Sequence, residues 1–254
     1  MHTGSPWAKQ PRKGSWTEHP VYAGTIFDKG EKTMNLMEAM KARHSVRRYI
    51  DKPIDLEALK ALQDEIAVCN KEGDLHIQIV TNEPKAFDSF MAHYGKFSGV
   101  KNYIALVGKK NEKLDELCGY YGERLVLKAQ QLGLNTCWVA LTYKKIPGAF
   151  EVANGEKLTV VIPFGYGETQ GAQHKSKDAA DVSNADGNSP EWFRSGVEAA
   201  LLAPTAVNQQ KFTLTYADGK VAARAGTGFY TKVDLGIVKY HFELGAGKEN
   251  FEWE

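Results

Sequence analysis

A chain of 254 residues that is 43% hydrophobic and 25% charged carries enough apolar material to bury a full core as one large domain or two small ones. Its formal net charge of +1 provides no broad attraction for nucleic acid or an anionic membrane, so neither partner is expected and any basic cluster must serve a local purpose. Three cysteines, Cys69, Cys118 and Cys137, are too few and too scattered for a disulfide framework or a Cys-x-x-Cys metal site, and they fit a reducing cytoplasm as small buried residues.

Residues 1–33 lack the continuous apolar core of a signal peptide and contain Pro6, Pro11, Pro20, Gly4, Gly14 and Gly24 in a polar and aromatic mixture without a period. Disorder or a loosely attached arm is expected there, and Met34 could itself be the start. No stretch approaches the roughly 20 apolar residues needed to cross a bilayer.

Leu36, Met37 and Met40 form a short amphipathic run, and it leads into Arg43-His44-Ser45-Val46-Arg47-Arg48-Tyr49. Three guanidinium groups and a hydroxyl gather there. Arginine forks match phosphate oxygens and serine adds a neutral donor, so the set suits a phosphate monoester; a solvated basic helix end would look the same.

Asp55 can cap a helix over about residues 55–68, with Leu56, Leu59, Leu62 and Ile66 at helical spacing. Gly73 and Asp74 mark a turn before the alternating strand His76–Val80, where His76 reads as a solvent-side residue because no second ligand lies at metal spacing. Asn102–Gly108 is apolar almost throughout, as in a central strand. The longest helical pattern runs from Leu114 to Leu132, with Leu117, Tyr121, Leu125, Leu127 and Leu132 as its buried positions and Gly133 as its stop. Leu158–Glu168 reads as a strand ended by a turn, and residues 178–190 as a polar linker. A helix from Pro190 to the Pro204 region follows, burying Phe193, Val197, Ala200 and Leu201. Next come a hairpin, Phe212–Tyr216 and a return near Val221 around Asp218-Gly219, and a helix over Val233–Phe242.

Several of these segments together resemble the nitroreductase family. Arg43-x-Ser45-x-Arg47-x-Tyr49 is similar to that family's flavin-phosphate signature, and Ala203-Pro204-Thr205-Ala206-Val207-Asn208-Gln209-Gln210 to its Ala-Pro-Ser-x-x-Asn-x-Gln segment. Leu132-Gly133-Leu134-Asn135-Thr136-Cys137-Trp138-Val139-Ala140 resembles the stretch that lies over the flavin ring in the family. The late strand ending Gly165-Tyr166-Gly167 departs from the usual Gly-Tyr-Pro, and Asp234-x-Gly236 resembles the family's central-helix entry, with an earlier counterpart around Gly119.

The resemblance implies an α+β, nitroreductase-like fold, a mixed β-sheet flanked by helices. It implies FMN as cofactor, held by Arg43, His44, Ser45, Arg47, Trp138, Pro204, Thr205, Ala206, Asn208 and Gln210. The main-chain amides of Val139 and Ala140 would reach the ring edge, and Lys175 and Lys177 would be charge partners of the phosphate, although a solvated loop would also carry such lysines. Trp138 reads equally well as a buried tryptophan at a helix-to-strand corner.

Helix entry, strand and central helix occur twice, around 34–140 and again around 190–245, which reads as a degenerate internal duplication. Residues 34–180 would form one half and 181–254 the half that completes the same domain. The early half carries the arginine element but has Cys69-Asn70-Lys71-Glu72-Gly73 where the Asn turn belongs; the late half keeps the turn and lacks the arginines. Two pseudo-symmetric halves would then build one flavin site, so a monomer could suffice. The implied activity is FMN-dependent reduction of a nitro-aromatic, quinone or similar acceptor by NAD(P)H, with no protein side chain as catalytic acid or base and no metal. A flavin-binding module, a cofactor-free relic and a dehalogenase-like flavoenzyme are the alternatives.

Overall fold

The apolar run 103–107 becomes the inside of a sheet. The computed structural model describes residues 34–254, and the expected N-terminal arm lies outside the described residues. After helices α1 (Leu36–Ala42) and α2 (Leu56–Gly73), strand β1 (Gln78–Val80), the short helix α3 (Phe90–Tyr94), strand β2 (Tyr103–Lys109), helix α4 (Leu114–Gln131), and strands β3 (Asn135–Thr136) and β4 (Glu156–Gly165) complete an antiparallel sheet in the order β1-β2-β4-β3. Tyr103 to Val107 of β2 are all fully buried because both faces of that strand are covered. On one face, Ile104, Leu106, Val160, Ile162 and Phe164 pack with Leu62, Ile66 and Leu125 of α2 and α4. On the other, Tyr103 and Val161 meet Phe87, Phe97, Cys137 and Val139, together with Val46 and Tyr49 from the arginine-rich thread.

Beyond the sheet come α5 (Ala179–Val182), α6 (Glu191–Ala200), the hairpin β5 (Phe212–Ala217) and β6 (Lys220–Ala225), α7 (Thr231–Ala246) and β7 (Glu252–Trp253), which pairs in parallel with β6. Phe193, Val197, Phe212, Leu214, Val221, Ile237, Val238 and Phe242 make a second core between α6, the hairpin and α7. Asp218 and Gly219, both at positive φ, close the hairpin where the sequence placed a turn.

α4 and α7 cross at paired glycines. A Cβ on Gly119 would lie 2.0 Å from the Val233 carbonyl oxygen, and one on Gly236 would lie 2.0 Å from that of Glu116. Only glycine permits this backbone approach, so the two central helices meet glycine to glycine.

Four expectations shift. α2 runs on through Gly73 rather than ending near residue 68, because Asp74 takes the left-handed C-cap position (φ 49) and a Cβ at Gly73 would collide with the Tyr121 ring. The strand read from His76 to Val80 is regular only over 78–80, and His76 pairs with Glu156 at 2.9 Å. Residues 178–190 are not a free linker: α5 buries Val182 in the second core, and Ser183 bridges to Leu214 of β5. Leu125 and Leu127 of α4 are buried as expected, but Leu117, Tyr121 and Leu132 are only half-buried, and Leu201 likewise. No helix among the described residues is long and apolar enough to cross a membrane.

Candidate functional site

Arg43 ends α1 and turns the chain to an extended path, which a capping box between Asn35 and Glu38 had started at the other end of the same short helix. From there the thread 44–49 is laid beside β3: Ser45 bridges to Thr136, Val46 N–H donates to the Thr136 carbonyl at 2.9 Å, and Tyr49 N–H donates to Ser98 at 3.0 Å. Alternation along 45–47 turns Val46 into the core while Ser45 and Arg47 face a cavity of about 560 Å³, and Tyr49 is buried in the same core as Val46.

That cavity is walled by both ends of the described chain. Trp138, Val139 and Ala140 line it from the corner after β3; Pro204, Thr205 and Ala206 line it from the late turn; Tyr230, Val233, Asp234 and Ile237 contribute from the start of α7. Arg47 and Lys96 are its exposed cations, Arg47 lying 6.0 Å from the centre of the Phe97 ring. Its rim leaves Tyr94, Leu141, Val207 and Phe229 more than half exposed, a concentration of apolar surface that suits a flat ring. The Val139 amide is spent on the Val161 carbonyl (2.9 Å), so it does not reach a ring edge as the resemblance implies, whereas the N–H groups of Ala140, Leu141 and Thr142 have no partner among the described residues and are the free donors of this wall.

Asp234 is the buried acid of the cavity. One carboxylate oxygen accepts the Ala206 N–H at 2.9 Å and the other the Gln209 side-chain amide at 2.7 Å, which pins the late turn to α7. Burial pushes its carboxyl up to about 6, against the opposing pull of those two donors. The turn it holds is strained: Val207 (φ 46), Asn208 (φ 55) and Gln210 (φ 45) all occupy the left-handed region, which for a β-branched valine is costly.

Four residues expected at the cofactor instead sew the turn to the segment 174–177. The Gln210 side chain donates to the Lys175 carbonyl (2.9 Å) and accepts from the Lys177 N–H (2.8 Å); Asn208 donates to the same Lys175 carbonyl (2.9 Å); and the Lys177 ammonium binds the Gln210 carbonyl (3.0 Å). Lys175, Lys177, Asn208 and Gln210 do not line the cavity, and neither does His44, whose Cβ packs against Gly171. In the early half, Asn70 is occupied by both polar groups of Ile77 at the end of α2. Sequence reasoning missed Tyr94, Lys96, Phe97 and Asp234. Tyr94 ends the five-residue α3 and Lys96 and Phe97 lie in the loop after it, a stretch too short to show a period, and Asp234 was visible only as a helix entry.

Arg43 lies behind this wall. Its side chain is 4% exposed, yet its guanidinium makes no hydrogen bond among the described residues, its Nε is enclosed without a partner, and the Glu123 carboxylate stands off at 3.8 Å. Burial lowers its pKa, with Glu123 opposing. A buried guanidinium left unbonded is costly by itself and is satisfied by an anion, so the donor set Arg43, Ser45 and Arg47 fits a phosphate group. The thiols do not compete for chemistry: burial pushes Cys69 and Cys118 up to about 12 and raises Cys137 as well. Among the described residues, no cluster of acids, histidines and cysteines could hold a metal ion.

The fold so built, a layered α+β arrangement, is similar to that of a protein described as a "putative nitroreductase" from Thermotoga maritima MSB8. The two share 24% sequence identity with a TM-score of 0.64, over 89% of this chain and 90% of that one. The chain belongs to the family described as "Putative TM nitroreductase", whose model matches residues 35–246, and is thus an oxidoreductase of nitroreductase type. A "putative nitroreductase in complex with FMN" from Desulfovibrio desulfuricans (16% identity, TM-score 0.45) overlaps 58% of this chain and 94% of its own, and a nitroreductase "with Bound FMN" from Bacteroides fragilis NCTC 9343 (22%, 0.42) overlaps 57% and 94%. No curated protein matches the chain.

Proposed function

We propose that the chain is an FMN-dependent oxidoreductase that takes reducing equivalents from NAD(P)H and delivers them to a nitro-aromatic, quinone or similar flat acceptor, with one flavin site per chain built by its two halves. The observation that carries the reading is the unbonded, buried Arg43 guanidinium beside a cavity whose walls include Ser45, Arg47, Trp138 and the Pro204–Ala206 turn.

In this reading Arg43, Ser45 and Arg47 hold the phosphate. Trp138, Phe97 and Tyr230 offer apolar surface to the ring, while Lys96 and the free amides of Ala140 to Thr142 supply donors to its polar edge. Lys175, Lys177, Asn208 and Gln210 act at one remove, holding the late turn against the cavity, with Asp234 fastening it from the other side. FMN, when held by these residues, would supply the electron chemistry of hydride acceptance and donation. The residues bind, orient and exclude water, and protons come from solvent at the open rim. The glycine-to-glycine crossing of α4 and α7 supports an internal duplication that lets a monomer complete the site.

The test is the absorption spectrum of the purified full chain titrated with FMN, followed by anaerobic NAD(P)H. The expected result is a bound flavin spectrum that bleaches with NADH or NADPH and recovers on adding a quinone. Tight FMN binding without bleaching would make the protein a flavin-binding module, and no FMN binding would make it a cofactor-free relic.

A further inference from the structure

Behind the cavity lies a buried Glu123–His241 pair that the proposed site does not use, set against Arg43 and Trp138, which it does. Glu123 of α4 and His241 of α7 both have fully enclosed side chains. One Glu123 carboxylate oxygen is 2.8 Å from His241 Nε2 and 3.8 Å from Arg43 Nε, and the other accepts the Trp138 indole N–H at 3.0 Å. The remaining ring nitrogen of His241, Nδ1, is 3.1 Å from the Ala199 carbonyl oxygen.

A carbonyl oxygen only accepts, so Nδ1 carries a hydrogen. A bare Nε2 facing an ionised carboxylate would then put two acceptors in contact. One further proton therefore lies between Nε2 and Glu123, and wherever it sits the pair is neutral as a whole. Burial keeps the neighbouring Tyr240 and Cys137 in their uncharged forms, so neither balances Arg43. Arg43 is left as the unmatched charge of the cluster. Its 3.8 Å stand-off agrees: a charge-assisted N–H to carboxylate bond would close to about 2.7–2.9 Å if the carboxylate were free to take it.

We propose that His241 is a positioning residue for anion binding: by sharing its proton with Glu123 it occupies a carboxylate that would otherwise close on Arg43, and so keeps the Arg43 guanidinium available to the cofactor phosphate. The inference rests on the reading that Arg43 meets that phosphate.

Affinities of the full chain for FMN and riboflavin, measured by flavin fluorescence quenching, test it. In His241→Gln the carboxylate loses its counter-charge and captures Arg43, so FMN binding weakens at least about tenfold while riboflavin changes by less than about twofold. Adding Glu123→Gln restores FMN affinity to within about threefold of wild type, because the amide still accepts from Trp138 and carries no charge to hold Arg43. Glu123→Gln alone replaces a neutral pair by a neutral pair and keeps the same affinity, which preserves the test if His241→Gln does not fold. A double variant as weak as His241→Gln, an unaffected His241→Gln, or a loss of FMN affinity of about tenfold in Glu123→Gln would overturn the inference. A wild-type chain that binds riboflavin as tightly as FMN would instead overturn the phosphate reading beneath it.

Discussion

α4 and α7 cross at matched glycines, yet they serve the cavity differently. α4 is clad by α2 and the four-stranded sheet and lends no side chain to the cavity wall; its contribution is Glu123, behind it. α7 is clad by α6 and the hairpin, and its first turns line the cavity with Val233, Asp234 and Ile237. The cations run the other way: Arg43, Arg47 and Lys96 come from the part of the chain before α4, and the acid and the strained turn from the part after residue 200. The two helices thus share one packing contact, while the groups proposed to meet a ligand are divided between their surroundings. Packing at the crossing tolerates little change because it is backbone against backbone, whereas polar groups at the periphery can be lost from one side if the other supplies them.

Substitutions at the crossing should have the largest effect. Gly119→Ala and Gly236→Ala each put a Cβ about 2.0 Å from a carbonyl oxygen of the opposite helix. Each should cost about 3 kcal/mol or more by urea denaturation, and similar losses at the two positions are the signature of an equivalent crossing. A change below about 0.5 kcal/mol at either would show that the helices do not approach so closely.

The cation side comes next. Arg43→Met keeps volume and removes an unbonded buried charge, so the apo protein should unfold at the same or a higher temperature, while FMN binding falls by about 2–3 kcal/mol relative to riboflavin. Arg47→Ala, at an exposed position, should lose only about 1 kcal/mol of the same preference. Equal weakening of both ligands would remove the phosphate role.

The acid side separates through pH. Asp234 has a folded pKa of about 6 against an ordinary 3.8, so the native state takes up a proton before the unfolded chain does as pH falls. Its contribution therefore favours the fold below about pH 4 and is lost as pH rises from about 4 to about 6. The stability of Asp234→Asn relative to wild type should rise across that window by on the order of 2 kcal/mol, read from urea midpoints at each pH. A flat difference would mean that the buried carboxyl is not strained. Smallest of all, Val207→Gly should raise stability by about 1 kcal/mol by relieving a valine held at φ 46, provided the turn keeps its shape.

Much of the fold was readable in advance, for physical reasons that also explain the omissions. The fully buried β2 reads as an unbroken apolar run, the 218–219 turn declares itself by Asp-Gly, and α4 by its leucines, because burial and turn geometry impose periods and residue types. The site was legible where a motif has fixed spacing: Ser45, Arg47, Trp138, Ala140 and Pro204 to Ala206 do meet at one cavity. Tyr94, at the end of the short α3, and Lys96, in the loop after it, are placed by distant packing, so nothing local marks them. Lys175, Lys177 and Asn208 were legible as polar groups near the late turn, but whether such groups face a ligand or a neighbouring carbonyl is settled by tertiary contacts that spacing does not encode. Glu123 and His241, charged types at fully enclosed positions, are paired across 118 residues of sequence and have no local signature at all.

In the proposed function one chain completes one flavin site from its two halves. Light scattering coupled to size-exclusion chromatography, with flavin absorbance recorded on FMN-saturated and active protein, measures it directly. A flavin-to-chain ratio approaching one, retained in a peak of monomer mass, is the expected result. A ratio near one-half, with flavin found only in a dimer, would contradict it and place the site between subunits.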